Sequence, residues 1–226
     1  MSTGTFGGRR GILAAAAAVL AIAGGLAVSA GLHQEPGPPQ PHVAVDAPPA
    51  RATPVVPEAP VTTSPAAPVT DLGLVLPASV PVAVDIPSID VHATTLMPLA
   101  VGPDGVLPPP SDYALAGWYT GGPNPGQLGP AVIAGHVDGP DGPAVFYRLG
   151  ELLPGAEVDV ARQDGTVARF TIDTVASYAK ADFPTSLVYG NTTDRAEIRL
   201  ITCGGVFDHS TGHYVDNVVA FGHLVG

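Results

Sequence analysis

The sequence is poor in several things that would each have pointed to a different kind of protein. Among 226 residues there is one cysteine, Cys203, so no internal disulfide exists. A lone thiol is a buried small hydrophobe, an intermolecular bridge, or a nucleophile that needs a base. Basic residues are scarce, with nine Lys and Arg against twenty Asp and Glu and a formal charge of −11. Nucleic acid is driven onto proteins by clustered Lys and Arg, so it is not an expected partner. No glycine-rich phosphate loop precedes a helix, which argues against nucleotide use. No metal constellation is apparent either. The acids are scattered without calcium-loop spacing, and His209 with His213 is an i, i+4 pair lacking the glutamate of a zinc-protease helix. The sequence therefore implies neither a metal nor a cofactor. Aromatics are only 6% and long amphipathic helices are absent, although 46% of residues are apolar. That balance suits one medium domain together with segments that are not domains.

Those segments lie at the N-terminus. Residues 11–32 carry no charge and follow Arg9 and Arg10. About 20 such residues in a helix cross a hydrocarbon layer of about 30 Å. The two arginines would keep residues 1–10 in the cytoplasm and send the remainder outward, as a single-pass protein of the cell membrane. A cleaved signal with Val28-Ser29-Ala30 as its small-residue site is the rival reading. Residues 33–79 are rich in Pro, Ala, Val and Thr, including Pro36-Gly37-Pro38-Pro39-Gln40-Pro41. Such a stretch buries too little apolar surface to fold and reads as a disordered, semi-rigid stalk at about 3.1 Å per residue.

The remaining residues, 80–226, hold six basic and sixteen acidic side chains, most of the chain's negative charge. Alternating and β-branched runs predict strands over 80–86, 89–96, 114–119, 131–137, 157–161, 167–178, 197–203 and 217–225. Turn signals such as Pro154-Gly155 and Asp164-Gly165 separate them. Short helical turns are expected at 145–149 and 182–187. Eight short strands and no long helix predict a mostly β protein, a closed or nearly closed barrel without exposed edges. Cys203 ends one predicted strand, in Thr202-Cys203-Gly204-Gly205, and His136 ends another, in Ala134-Gly135-His136-Val137. A thiol at a strand end beside glycines is placed to meet an extended peptide.

The run Ile198-Arg199-Leu200-Ile201-Thr202-Cys203 resembles the Thr-Leu-x-Thr-Cys signature of sortases, and Ala134-Gly135-His136-Val137-Asp138 resembles their histidine segment. Gly117-Trp118-Tyr119, Gly121-Gly122-Pro123, Gly129-Pro130-Ala131-Val132, the run Pro143 to Leu149, Phe207-Asp208 and Asp216-Asn217-Val218-Val219 are similar to the actinobacterial class F members. The resemblance spans the domain from Val80 onward. It implies an eight-stranded sortase-like β-barrel, a Gram-positive cell-surface setting behind one N-terminal transmembrane helix, and a cysteine transpeptidase acting on Leu-Pro-x-Thr-Gly sorting peptides of surface proteins. The acceptor it implies is a cell-wall precursor or another amine.

The chemistry can be argued on its own terms. A free thiol with a pKa of about 8.5 is a few per cent thiolate near neutrality, so attack on an amide needs a neighbouring base. His136 fits that need, and it can return the proton to the leaving amine. Asp138 either orients the imidazole or serves the turn before Gly139-Pro140. Thr202 either contributes a substrate hydrogen bond or is an ordinary strand residue.

One feature departs from the family. Its members carry an arginine after the cysteine, whereas the tail from Gly204 to Gly226 contains none, and the two matching places hold His209 and Val215. Candidates to stand in for it are protonated His209 or His213, a backbone N–H near Gly204, or Arg199 if it faces the site. Arg199 is about 13 Å along the strand from the sulfur. A slow enzyme, or a degenerate module that binds sorting peptides without turning them over, are the two readings. An L,D-transpeptidase or an NlpC-type peptidase fits poorly, since the first wants a His-Gly-Cys cluster and the second a cysteine ahead of its histidine.

Overall fold

The computed structural model describes residues 37–42, 73–103, 105–190 and 194–226. By its internal packing the chain divides into Met1–Gly37, of which only Gly37 is described, and Pro38–Gly226. The expected membrane segment at 11–32 and most of the expected stalk lie outside the described residues. Among the described residues no helix is long and apolar enough to cross a membrane.

The second unit is almost entirely strand. In chain order its elements are β1 (Pro81–Ile86), β2 (Val91–Ala93), β3 (Leu96–Leu99), β4 (Ala116–Tyr119), β5 (Gly129–Gly135), β6 (Asp138–Gly139), β7 (Gly142–Pro143), β8 (Glu157–Arg162), β9 (Val167–Ala179), α1 (Thr185–Tyr189), β10 (Ala196–Asp208) and β11 (His213–Leu224). Short 3-10 turns occupy Pro87–Ile89, Leu149–Glu151 and Lys180–Asp182. Nine strands form one sheet in the order β2-β1-β8-β9-β11-β10-β5-β4-β3, and β6 with β7 makes a separate ribbon. The two edges, β2 and β3, are consecutive pieces of chain separated only by Thr94 and Thr95. One bent segment thus supplies both edges, and the sheet curls into a nearly closed barrel.

The main sheet has nine strands where eight were expected, because the single strand predicted over 89–96 starts only at Val91 and is split at Thr94 and Thr95. Ile89 ends the Pro87–Ile89 turn, and Asp90 follows in the left-handed region at φ 58°. β2 and β3 then pair with different neighbours, β1 and β4. The turn expected at 145–149 lies slightly later, at Leu149–Glu151, and the one at 182–187 resolves into Lys180–Asp182 and α1.

Alternation explains which face is which. Val158 and Val160 of β8, Phe170 and Ile172 of β9, and Ile198 and Leu200 of β10 point into the barrel with Val84, Ile86, Phe146 and Leu149. β5 breaks the alternation, with six of its seven residues buried. A second apolar cluster covers its outer face, and a strand sandwiched on both sides becomes apolar throughout. Residues 73–79 also pack on the barrel: Leu76 rests against the core and its N–H donates to Gly126 O at 2.8 Å. Arg162 donates to Pro77 O, and Ser79 Oγ accepts from Asp164 N at 3.2 Å.

Phe170 is fully buried at the centre of the barrel. Phe170→Ala should lower unfolding free energy by about 3–5 kcal/mol, measured by urea titration, whereas truncating exposed Val167 on the same strand should change it by less than about 1 kcal/mol.

Candidate active site

Register, more than proximity in sequence, builds the site. β10 lies parallel to β5, with Arg199 opposite Val132 and Ile201 opposite Ala134. Registered neighbours project to the same side of a sheet, and residues two apart share a face. Cys203 is two beyond Ile201 and His136 two beyond Ala134, so alternation continues the face that Ile201 and Ala134 share to both residues, just past the paired part of β5 and β10. Neighbouring strands lie about 4.8 Å apart. On the other side of β10, the antiparallel pairing sets Cys203 opposite Asn217 and Ile201 opposite Val219. Asn217 and Val219 are in turn registered with Tyr178 and Ala176 of β9. The outer face therefore runs from His136, through Cys203 and Asn217, to Tyr178 and, two residues further on, Lys180.

His136 is held from three directions. Its carbonyl accepts the N–H of Phe146 at 2.9 Å, and the Phe146 ring is fully buried. Its Nε2 lies 2.8 Å from Pro110 O, and its ring meets Tyr113 with centroids 4.3 Å apart. A carbonyl oxygen only accepts, so Nε2 carries the hydrogen and Nδ1 is left to take or give a proton. Gly135 makes the close approach possible, since a Cβ there would come within 2.7 Å of Val145 and 2.8 Å of the Phe146 ring.

Asp138 does not bond to the imidazole in this arrangement; its carboxylate accepts the Tyr214 hydroxyl. Burial, with the Asp138 carboxylate next, raises the Tyr214 hydroxyl well above its ordinary pKa, so it stays a donor. The pair ties the hairpin after the cysteine to the ribbon after the histidine.

Cys203 is half-buried. Its sulfur accepts from Lys180 Nζ at 3.5 Å. Directly beyond it the β10 register shifts between Gly204 and Phe207, and Gly205 adopts φ +76°. The Gly205 N–H donates to Gln40 Oε1 at 3.0 Å. Gln40 is thus seated beside the cysteine loop, with nearby Pro38 buried.

The other residues singled out by sequence fall elsewhere. Thr202 is buried on the opposite face, registered with Val218 of the barrel core, and its hydroxyl has no hydrogen-bond partner among the described residues. His209 and His213 are exposed at the tip of the β10–β11 hairpin, where His213 pairs with Asp208 and the His209 ring meets Phe207 at 5.1 Å. Asp208 is five residues past Cys203, about 16 Å of extended strand. Arg199 shares the sulfur's face but is 4% exposed and committed: Nη2 donates to Glu197 Oε2 at 2.5 Å, Nη1 to Ile198 O at 3.0 Å, and the guanidinium lies over Phe221 at 4.7 Å. Lys180, Asn217, Tyr214 and Gln40 were not anticipated. Cross-strand register places them, and no local motif announces it.

Beside the sulfur spreads the second apolar cluster, Val132, Ala176, Val188, Ile201, Val219 and Phe221, flanked by Tyr119, Tyr178 and Leu187. Strand β10 supplies its floor and α1 its wall. Among the described residues no three His, Cys, Asp or Glu side chains gather to hold a metal ion.

A sortase-domain family model matches residues 84–225, and the chain belongs to the sortase family, whose members are cysteine transpeptidases. No curated protein matches the chain. Among solved structures, a lid mutant of sortase A from Corynebacterium diphtheriae is 19% identical over 67% of this chain and 73% of that one, with a TM-score of 0.51. The sortase A of the same organism is 20% identical over 66% of this chain and 62% of that one, at 0.49, so the chain spans under two thirds of it. A Clostridium perfringens sortase D5 transpeptidase is 20% identical over 64% and 78%, at 0.47. At these identities the likeness concerns the fold alone.

Burial pushes the Glu197 carboxyl up, but Arg199 and Arg195 outweigh it and hold it below the ordinary carboxylate range. A depressed carboxyl stabilises the fold above its unfolded-state pKa, and that contribution disappears as pH falls through the folded value. Glu197→Gln leaves the buried Arg199 unpaired and should cost about 3–5 kcal/mol at pH 7. The gap to wild type should narrow below about pH 4 in pH-dependent urea melts.

Proposed function

We propose that this chain is a class F-like sortase that cleaves a Leu-Pro-x-Thr-Gly peptide between Thr and Gly and passes the acyl group to an amine. The observation that supports the reading is the parallel β5–β10 register, with Ile201 opposite Ala134 and Cys203 and His136 each two residues further along. His136 takes the thiol proton at Nδ1, Cys203 Sγ adds to the Thr carbonyl carbon and the carbonyl electrons move to oxygen. Collapse of that adduct breaks the C–N bond, and imidazolium His136 gives its Nδ1 proton to the departing glycine amine. An incoming amine, deprotonated by His136, attacks the thioester and releases the sulfur. Water in place of the amine gives hydrolysis. The apolar surface around Ile201 and Val219 suits the Leu-Pro end of the peptide. The acceptor is a cell-wall precursor or another amine, and the enzyme works outside the cell, held to the membrane by residues 11–32.

A second reading rests on the absence of arginine after Cys203. Losing one oxyanion donor costs about 100 to 1000-fold in turnover, so a peptide-binding module of little activity is the alternative.

The full chain in detergent, given such a peptide, should release the glycine fragment and form a new amide when an amine is added. Cys203→Ala should abolish turnover, and His136→Ala should lower kcat by about 100-fold or more. Peptide binding with no thioester on Cys203 would support the module instead.

A further inference from the structure

The family's arginine has no successor at the two histidines near the matching place. His209 and His213 sit at the hairpin tip, and Arg199 is spent on Glu197 and Phe221. One cation does reach the sulfur, and it comes from a different strand. Lys180 opens the 3-10 turn at the end of β9, two residues beyond Tyr178, on the face that β9, β11 and β10 share with Cys203. Its Nζ is 3.5 Å from Sγ. It is the only lysine in the sequence.

We propose that Lys180 is a catalytic residue of this chain, supplying from the end of β9 the positive charge that other family members place after the cysteine. This rests on the reading of Cys203 as the nucleophile. One effect follows from a charge at that distance. During addition, negative charge moves from sulfur to the carbonyl oxygen on the adjacent carbon. That oxygen forms within reach of the same ammonium, which has three rotatable donors on a four-carbon stem.

The surroundings favour such a role over a structural one. Lys180 is exposed and among the described residues makes no salt bridge to a carboxylate, whereas Arg148, Arg162, Arg169, Arg195 and Arg199 each do. Asn217, registered opposite Cys203, flanks the sulfur with a neutral carboxamide and competes for no charge. A lysine here also differs chemically from the arginine it would replace. It is a point charge without a planar fork, so it stabilises charge without fixing the substrate carbonyl in a bidentate geometry. Lower turnover with an unchanged peptide preference is the expected character.

The test compares two alkylating agents of similar size, anionic iodoacetate and neutral iodoacetamide, on the full chain in detergent. A cation beside the sulfur speeds the anionic reagent selectively. Lys180→Met should lower the iodoacetate-to-iodoacetamide rate ratio by roughly tenfold at low salt, and Lys180→Arg should restore most of it. Because the chain has a single cysteine, mass spectrometry reads both rates at one site. With sorting peptide, Lys180→Met should reduce kcat by about tenfold or more at little change in KM. An unchanged rate ratio in Lys180→Met, with the wild-type melting temperature retained, would overturn the proposal. The alkylation ratio needs no peptide, so it decides about Lys180 even if the wild type fails to cleave the sorting sequence, which would instead count against the transpeptidase reading.

Discussion

Everything at the site depends on one parallel strand pairing. A parallel neighbour cannot follow through a tight hairpin and needs a long crossover. Between the end of β5 and the start of β10 the chain therefore travels through the β6–β7 ribbon, β8, β9 and α1 before it returns. That excursion is why the histidine and the cysteine, far apart in sequence, each follow by two residues a pair of registered neighbours on adjacent strands. The pairing also carries little tolerance. A one-residue slip would turn Cys203 into the barrel and bring Thr202 out, because the side-chain period of a strand is two.

The register is held from both faces. Ile198 and Leu200 are fully buried inside the barrel, while Arg199 is buried outside it against Phe221 and Glu197. Slipping β10 would turn the first pair out of the core and part Arg199 from Phe221 of β11. Ties between distant segments then close the surroundings: Tyr214 to Asp138, His136 to Pro110, and Gly205 to Gln40. Each joins segments distant in sequence within the neighbourhood of Cys203 and His136. The resulting surface has an apolar floor, a half-buried thiol and one lysine beside it.

Much of this was readable from pattern. The alternating runs at 157–161 and 167–178 match β8 and β9 closely, since each strand presents one face to a core and one to water. Alternation along β10 sets Arg199 and Ile201 on the face of Cys203 and Thr202 on the other, which leaves Thr202 as the ordinary strand residue that was one of its two readings. Other features had no local signature. The polar hairpin tip at 204–216 looked like loop, yet β10 and β11 continue through it to Asp208 and from His213 because backbone pairing there does not need apolar side chains. The break of 89–96 into two strands falls at Thr94 and Thr95 and depends on two different partner strands, β1 and β4. Lys180 and Gln40 are ordinary surface residues until the sheet order brings β9 beside β11 and Gln40 bonds to Gly205.

The claim beneath the whole account is that the thiol of Cys203 and the imidazole of His136 share one side of the sheet. Histidine NMR tests it directly: the ring resonances of His136 should shift when Cys203 is alkylated with iodoacetamide, while those of His209 and His213 at the hairpin tip stay near their original positions. A His136 ring that does not respond to the alkylated sulfur would contradict the account.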